Sequence, residues 1–166
     1  TIKGNGAPDI LIEGDLSHVK RIGQGMRQGR ITIRGNVGMH LGAKMRDGEI
    51  IVQGNAEAWA GAQMRGGLMR ILGNAGPMLG AAYTGEKRGM RGGIILVEGN
   101  AGARVAERMR RGLIAIQGNA GEFAGARMIA GSLFVFGELG ARPGAGMKRG
   151  TIVVLTPTAE AKQDVP

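Results

Sequence analysis

The sequence predicts an all-β protein built as a parallel β-helix, a solenoid of about seven to eight coils with a 19-residue repeat. Three observations predict this fold class: a methionine–glycine spacing that recurs at a fixed interval, two apolar residues at alternate positions after it, and a Gly-Asn pair that closes each unit. Glycine accounts for 33 of the 166 residues, and aromatic residues for only 3%. A core with so few large rings must be thin and lined by aliphatic side chains.

The methionines define the repeat. Methionine is followed three residues later by glycine at Met26, Met45, Met64, Met90, Met109, Met128 and Met147. The steps between these methionines are 19, 19, 26, 19, 19 and 19 residues. An eighth, imperfect unit precedes them at Ile10, Ile12, Gly14 and Asp15. The longer step contains a seven-residue insertion, Tyr83 to Gly89, and insertions of this kind emerge from a solenoid as side loops.

Each unit contains one short strand followed by a bend. Apolar residues stand five and seven positions after the methionine, as Ile50 and Val52 do after Met45, and residues two apart share one face of a strand. The residue between them varies, so the other face is open to solvent or to a partner. A Gly-Asn pair such as Gly54-Asn55 suits left-handed backbone conformations, and we expect a sharp turn there. A 19-residue repeat has no room for a crossover helix with two loops.

Stacking the coils about 4.8 Å apart gives a rod on the order of 40 Å long, with equivalent residues above one another. We expect the methionines to form a buried column, because a flexible thioether adapts to a narrow cavity. We expect the asparagines to form a ladder of hydrogen bonds between coils. Both columns are expected to serve the structure.

A third column, the residues directly after each methionine, is basic at six of seven positions. Its members are Arg27, Arg46, Arg65, Arg91, Arg110 and Lys148, and Ile129 is the exception. Neighbouring like charges at this spacing repel by about 1 kcal/mol per pair even in water. The formal net charge of the chain is +9. This basic column therefore either fans into solvent or forms a docking stripe for an anionic partner, a subunit or a polyanion.

The side loop adds candidate contact residues for the same partner. It contains Tyr83, Lys87 and Arg88, and loops on the side of a solenoid often lie on its binding face. The alternative is a tolerated surface excursion.

Few residues of the chain could supply enzyme chemistry, and we expect neither catalytic nor metal-binding residues. Cysteine is absent, and neither His18 nor His40 has a second ligand at a spacing typical of metal sites, so surface roles are expected for both. No phosphate-binding loop motif occurs. Nucleic-acid binding is supported by charge alone, because stacking aromatic residues are few. No apolar run approaches the roughly 20 residues of a membrane span. We expect a cytoplasmic protein, and a further segment upstream of Thr1.

The full unit reads GNxGxxxGxxMxxGxIxVxGN, as in GNVGMHLGAKMRDGEIIVQGN, GNAEAWAGAQMRGGLMRILGN and GNAGEFAGARMIAGSLFVFGE. It resembles the repeat of the formylmethanofuran dehydrogenase C-subunit family, which shares its repeat with the carboxy-terminal domain of glutamate synthase. The resemblance covers nearly all of residues 10–155. The phrases GEKRGMRGG, AGARVAERMRRGLIAIQGNAG and RPGAGMKRGTIVVL are similar to the bacterial branch, the C-subunit of the formyltransferase/hydrolase complex of methylotrophs.

The resemblance implies a right-handed β-helix and a structural subunit without an active site of its own. We expect one β-helix domain over residues 1–155, with the side loop at 83–89, and a tail or cap at 156–166. The implied partners are formyltransferase-like and amidohydrolase-like subunits. The implied carriers are of the methanofuran and tetrahydromethanopterin types, with any metals or molybdopterin in other subunits and no cofactor on this chain. A polyglutamate carrier tail is a second candidate for the basic column. The departures from the repeat at Glu57, Ala106 and Ile129 are expected to create no site.

Three alternatives remain open. A glutamate synthase spacer domain has the same repeat, although the bacterial-type phrases count against it. A hexapeptide-repeat acyltransferase is an enzyme on a β-helix, but it has 18-residue coils of three similar hexads and a catalytic histidine. A free-standing basic β-helix that binds polyanions is the third alternative.

Overall fold

The computed structural model describes residues 9–155, which form a parallel β-solenoid, as the repeat predicted. Each coil contributes one strand to a single eight-stranded sheet within this range. The strands are β1 (Asp9–Glu13), β2 (Arg30–Arg34), β3 (Glu49–Val52), β4 (Leu68–Ile71), β5 (Arg91–Val97), β6 (Arg111–Ile116), β7 (Ser132–Val135) and β8 (Thr151–Val154). Their order in the sheet is their order in the chain. The expected tail at 156–166 lies outside the described residues.

The register of the sheet follows the repeat. Ile31 pairs with Ile50, Ile50 with Met69, and Met69 with Ile95, so the step of 26 residues is absorbed without a change of register at these inward positions. The pairing of β1 with β2 confirms the imperfect first unit. A slip of one residue would turn every apolar side chain outward, so burial of one face specifies this register strongly.

The core is the predicted pair of apolar columns together with the methionine column. Met45, Met64, Met90, Met109 and Met128 are fully buried, while Met26 and Met147 in the outer coils are partly buried. The inward strand residues are buried from β2 to β7. Val154, at an inward position of the last described coil, is 44% exposed. The side chains of these columns are therefore fully buried only where a described coil lies on both sides.

The asparagine ladder is also confirmed. The side-chain Oδ1 atoms of Asn36, Asn55, Asn74 and Asn100 each accept a hydrogen bond of 2.8–2.9 Å from the backbone N–H of the asparagine one coil later. Asn119 Oδ1 accepts one from the backbone N–H of Glu138, where the repeat departs from asparagine. Since the donor is the backbone, glutamate in the last position still continues the ladder.

The expectation of left-handed conformations at Gly-Asn was wrong. The ladder asparagines are not among the residues with positive φ, and neither are the glycines that precede Asn55, Asn74, Asn100, Asn119 and Glu138; Gly35, before Asn36, has φ of 157°. Glycine is needed there for space, because a Cβ on Gly54 would lie 2.5 Å from Asn36 Oδ1 and 2.6 Å from the Gly35 carbonyl oxygen. The stacked ladder leaves no room for a side chain.

Left-handed residues lie instead one, three and five positions before the methionine, and at the glycine three positions after it. In one coil those before the methionine are His40, Gly42 and Lys44, with φ of 64°, 58° and 57°. The N–H groups of His40 and Lys44 donate to the following coil, and that of Gly42 donates to the preceding coil. Hydrogen bonds to both neighbours hold a backbone that is otherwise unfavourable for non-glycine residues.

Candidate docking surface

The basic column predicted from the sequence is a geometric column in the structure. The backbone N–H of Arg46, Arg65, Arg91, Arg110, Ile129 and Lys148 each donates to the carbonyl oxygen of the methionine one coil earlier, at 2.7–2.9 Å. Arg27, Arg46, Arg65 and Lys148 are exposed, whereas Arg91 and Arg110 are half-buried. The backbone therefore holds these side chains in one line along the solenoid.

The column forms no ion pair within the part of the chain that the structure describes. The ion pairs within residues 9–155 are Arg30–Glu49, Arg34–Glu13, Arg70–Glu98 and Arg104–Glu107, and none of them includes a residue of the basic column. The carboxylate of Asp47 accepts a hydrogen bond from the backbone N–H of Gly48. Arg91 Nε is buried without a hydrogen-bond partner in the described part of the chain.

A basic cleft lies where the side loop meets the later coils. It is lined by Lys87, Arg88, Arg108, Arg110, Arg127, Ile129, Gly146 and Lys148 and has a volume of about 600 Å³. Six of these eight residues are cationic and none is acidic. Ile129, which we expected to create no site, lines this cleft at the column position between Arg110 and Lys148. It leaves an apolar wall between two cations.

The side loop is anchored by a cluster of three rings that we did not predict from the sequence. The Tyr83 ring lies 5.0 Å from that of Trp59 and 5.5 Å from that of His40, measured between centroids. The Tyr83 hydroxyl lies 2.9 Å from His40 Nδ1. On the other side of the loop, the Gln63 side-chain amide donates to the Arg88 carbonyl oxygen at 3.1 Å. Tyr83 is thus an anchor, while Lys87 and Arg88 remain exposed.

A signal for this cluster was present in the repeat. His40 and Trp59 both stand five residues before a repeat methionine, so stacking brings them together. The same position later holds Arg104, Phe123 and Arg142, and the two guanidinium carbons lie 4.9 Å and 5.8 Å from the Phe123 ring centroid. Cations at these distances are attracted to the ring face.

The surroundings of the ring cluster shift the pKa of His40 and that of Tyr83. Burial lowers the pKa of His40 below its ordinary value, and the positive charges of Arg21 and Lys20 lower this pKa further. Burial raises the pKa of the Tyr83 hydroxyl. Both groups are therefore neutral at pH 7, and the phenol can donate to the imidazole Nδ1.

No group of three or more histidine, cysteine, aspartate or glutamate side chains that could hold a metal ion occurs among residues 9–155. The same residues include no helix that is long and apolar enough to cross a membrane. The chemistry that the described surface offers is the binding of anions by an ordered set of guanidinium and ammonium groups.

Comparison with known proteins agrees with the expected family. No family model matches the chain. In sequence, 34 residues are 56% identical to part of the C-subunit of the tungsten-containing formylmethanofuran dehydrogenase 2 of Methanothermobacter wolfeii, a match that covers 20% of this chain and 13% of that protein.

The similarity in structure covers much more of the chain. A chain of the formyltransferase/hydrolase complex from Methylorubrum extorquens, crystallised with methylofuran, superposes with a TM-score of 0.88 and 41% sequence identity. This match covers 93% of the present chain and 58% of that chain, so the protein described here spans little more than half the length of this relative.

Proposed function

Because the chain belongs to the formylmethanofuran dehydrogenase C-subunit family, we propose that it is a non-catalytic structural subunit of a formyltransferase/hydrolase complex of one-carbon metabolism. In this role it holds the formyltransferase-like and amidohydrolase-like subunits together. Similarity to a chain of such a complex over 93% of the present chain supports membership. The docking role rests on the basic column, because a line of cations that forms no ion pair within residues 9–155 is suited to an acidic partner surface.

The rigidity of the solenoid favours docking over free solvation. Each residue of the column from Arg46 to Lys148 is held by a backbone hydrogen bond to the coil before it, so the charges cannot spread apart by moving the backbone. A partner carboxylate removes the repulsion between neighbours and gains charge-assisted hydrogen bonds. Arginine also binds carboxylates in a bidentate manner, which adds orientation to affinity.

The basic cleft supports a second role within the same complex. The structural relative is in complex with methylofuran, and the carriers expected for this family include a polyglutamate tail. Six cations around a cleft of about 600 Å³ could hold several carboxylates of such a tail. We place the contact with a partner protein first and the carrier tail second, since the basic column extends well beyond the cleft.

The proposal is tested by native pull-down of the complex with a tagged form of this chain. The variant Arg46→Glu/Arg65→Glu changes two exposed residues of the column. It should lower recovery of the formyltransferase-like and amidohydrolase-like subunits by about tenfold or more, because each reversal turns an attraction into a repulsion. Adding Arg91→Glu should lower recovery further.

A matched control has the same change of charge elsewhere. Lys44→Glu/Arg142→Glu reverses two exposed cations outside the column, and recovery should stay close to that of the unmodified chain. The turnover of the assembled complex tests the carrier-tail role separately from subunit docking. The variant Lys87→Glu/Arg108→Glu should lower turnover without lowering recovery of the subunits. Full recovery and normal turnover with Arg46→Glu/Arg65→Glu would show that the column is only solvated surface. If the unmodified chain recovers no subunits, a free-standing basic module is the better description.

A further inference from the structure

The outward face of the sheet changes its chemistry halfway along the solenoid. Each strand presents three outward positions, within the strand or directly after it. In β1 to β4, six of these twelve positions are charged: Asp9, Glu13, Arg30, Arg34, Glu49 and Arg70. In β5 to β8, Glu98 is the only charged residue among the twelve.

The first half is a surface suited to water. Arg30 Nε lies 2.9 Å from Glu49 Oε2, and Arg34 Nη1 lies 3.3 Å from Glu13 Oε1, so ion pairs cross from strand to strand. Exposed pairs of this kind contribute little to stability. Their presence makes the outward face of β1 to β4 hydrophilic and discourages association there.

The second half is an unbroken group of apolar side chains. We call it the apolar face and define it as Ile94, Leu96, Leu113, Ala115, Phe134 and Val153. Ile94 pairs with Leu113, and Leu96, Ala115, Phe134 and Val153 follow one another across four strands. Ile94 is 41% exposed and the others are half-buried. With strands about 4.8 Å apart, this face measures on the order of 200–300 Å².

The apolar face is bordered by cations at the start of β6 and β8. A cleft of about 470 Å³ there is lined by Arg110, Arg111, Lys148 and Arg149, together with Ile129, Ala130 and Gly131, and by no acidic residue. Apolar patches of a few hundred Å² occur on ordinary monomers, and larger ones with a polar rim mark interaction sites. A stable interface buries about 800 Å² on each partner, so the apolar face needs this border to complete it.

We propose that the apolar face and its cationic border bind another subunit of the complex, through a partner surface with aliphatic or aromatic side chains at its centre and carboxylates opposite Arg111 and Arg149. This inference rests on the proposed function and adds a second docking surface to the basic column. The positive charge of the border determines which kind of partner can bind the apolar face. A second copy of this chain would bring the same border and the same formal charge of +9, whereas an acidic partner neutralises the border.

The test is a comparison of two substitutions in one outward column of the sheet. Leu96 and Ile51 are both half-buried aliphatic residues at the same repeat position, but Ile51 lies in the charged half. Leu96→Glu should lower recovery of partner subunits in the pull-down by about tenfold or more, because a carboxylate cannot be buried unpaired at an interface. Ile51→Glu should leave recovery within about twofold, since Ile51 lies outside the apolar face. Phe134→Glu should repeat the effect of Leu96→Glu.

The melting temperature of each isolated variant establishes that it is folded, and a conservative Leu96→Ile variant should bind normally. Equal recovery with Leu96→Glu and Ile51→Glu would overturn the inference while leaving the proposed function intact. A dimer of the unmodified chain that Leu96→Glu dissociates, measured by light scattering, would overturn the choice of occupant in favour of a second copy. Failure of the unmodified chain to recover any subunit would remove the proposed function and this inference together.

Discussion

The effects on stability of substitutions at Gly80 and Ile114 should be coupled, because they involve one and the same methyl group of Ile114. Gly80 has φ of +65° and stands three positions before the place of the methionine in its coil, as Gly42 and Gly61 do. A Cβ at Gly80 would lie 2.6 Å from Ile114 Cδ1 in the following coil. Its next neighbours, Ile95 Cδ1 and Met90 Sδ, would lie at ordinary contact distances of 3.6 and 3.7 Å. Gly80→Ala is therefore unfavourable for two separate reasons, backbone conformation and one overlap.

The two contributions can be estimated separately. Alanine in the left-handed region costs about 1–2 kcal/mol, and overpacking costs about 1–3 kcal/mol. Reduced entropy of the unfolded chain offsets about 0.4–1 kcal/mol of this. Gly80→Ala should thus lower the free energy of unfolding by about 2–4 kcal/mol. Ile114→Val should lower it by about 0.5–1.5 kcal/mol, because it removes one buried methyl group.

The double variant should lose less stability than the two single variants together. Ile114→Val deletes the atom that the new Cβ would overlap, so the backbone contribution of Gly80→Ala remains and the overpacking contribution disappears. We expect a coupling free energy of about 1–3 kcal/mol from urea unfolding of all four proteins, followed by circular dichroism. Ala106 provides a reference, because this alanine occupies the same repeat position with φ of 60°. By register it faces Leu133 in place of isoleucine or methionine. Ala106→Gly should change stability by less than about 1 kcal/mol. Additive effects of Gly80→Ala and Ile114→Val would refute the steric explanation.

Two further predictions concern the ladder and the ring cluster. Asn74→Ala should lower the free energy of unfolding by about 0.5–1.5 kcal/mol, because the exposed N–H of Asn100 exchanges its side-chain acceptor for water; Asn74→Asp keeps an acceptor and should lose less, and equal losses in urea unfolding would contradict this. Because burial lowers the pKa of His40 in the folded protein, the unfolded chain takes up the proton first as the pH falls. The contribution of His40 to stability should be fully present above about pH 6.5 and decrease as the pH falls through 6.5 towards the folded pKa. The fluorescence of Trp59 should report this protonation with a midpoint below 6.5 and should lose the transition in His40→Gln; a midpoint at or above 6.5 would count against the assigned burial.

Most of the candidate docking surface could be located from the sequence, but not its shape. The repeat brought Arg46, Arg65 and Arg91 into one column, because backbone stacking preserves sequence spacing. The basic cleft was not predictable in the same way, since it depends on where an inserted loop folds. Lys87 and Arg88 join Arg108 and Arg127 only because Tyr83 docks on Trp59 and His40, 24 and 43 residues earlier. That docking depends on ring packing, which spacing does not encode.

The periodic features of this protein were determined by the sequence itself: the strands, their parallel register, the methionine column and the asparagine ladder. In a solenoid each residue contacts its equivalents one repeat away, so local pattern and three-dimensional neighbourhood are nearly the same information. Only the tertiary structure decided which glycines supply left-handed φ and which supply space, because both kinds repeat with the same period. It also decided how the insertion folds and where the outward face becomes apolar, since these depend on contacts that do not repeat.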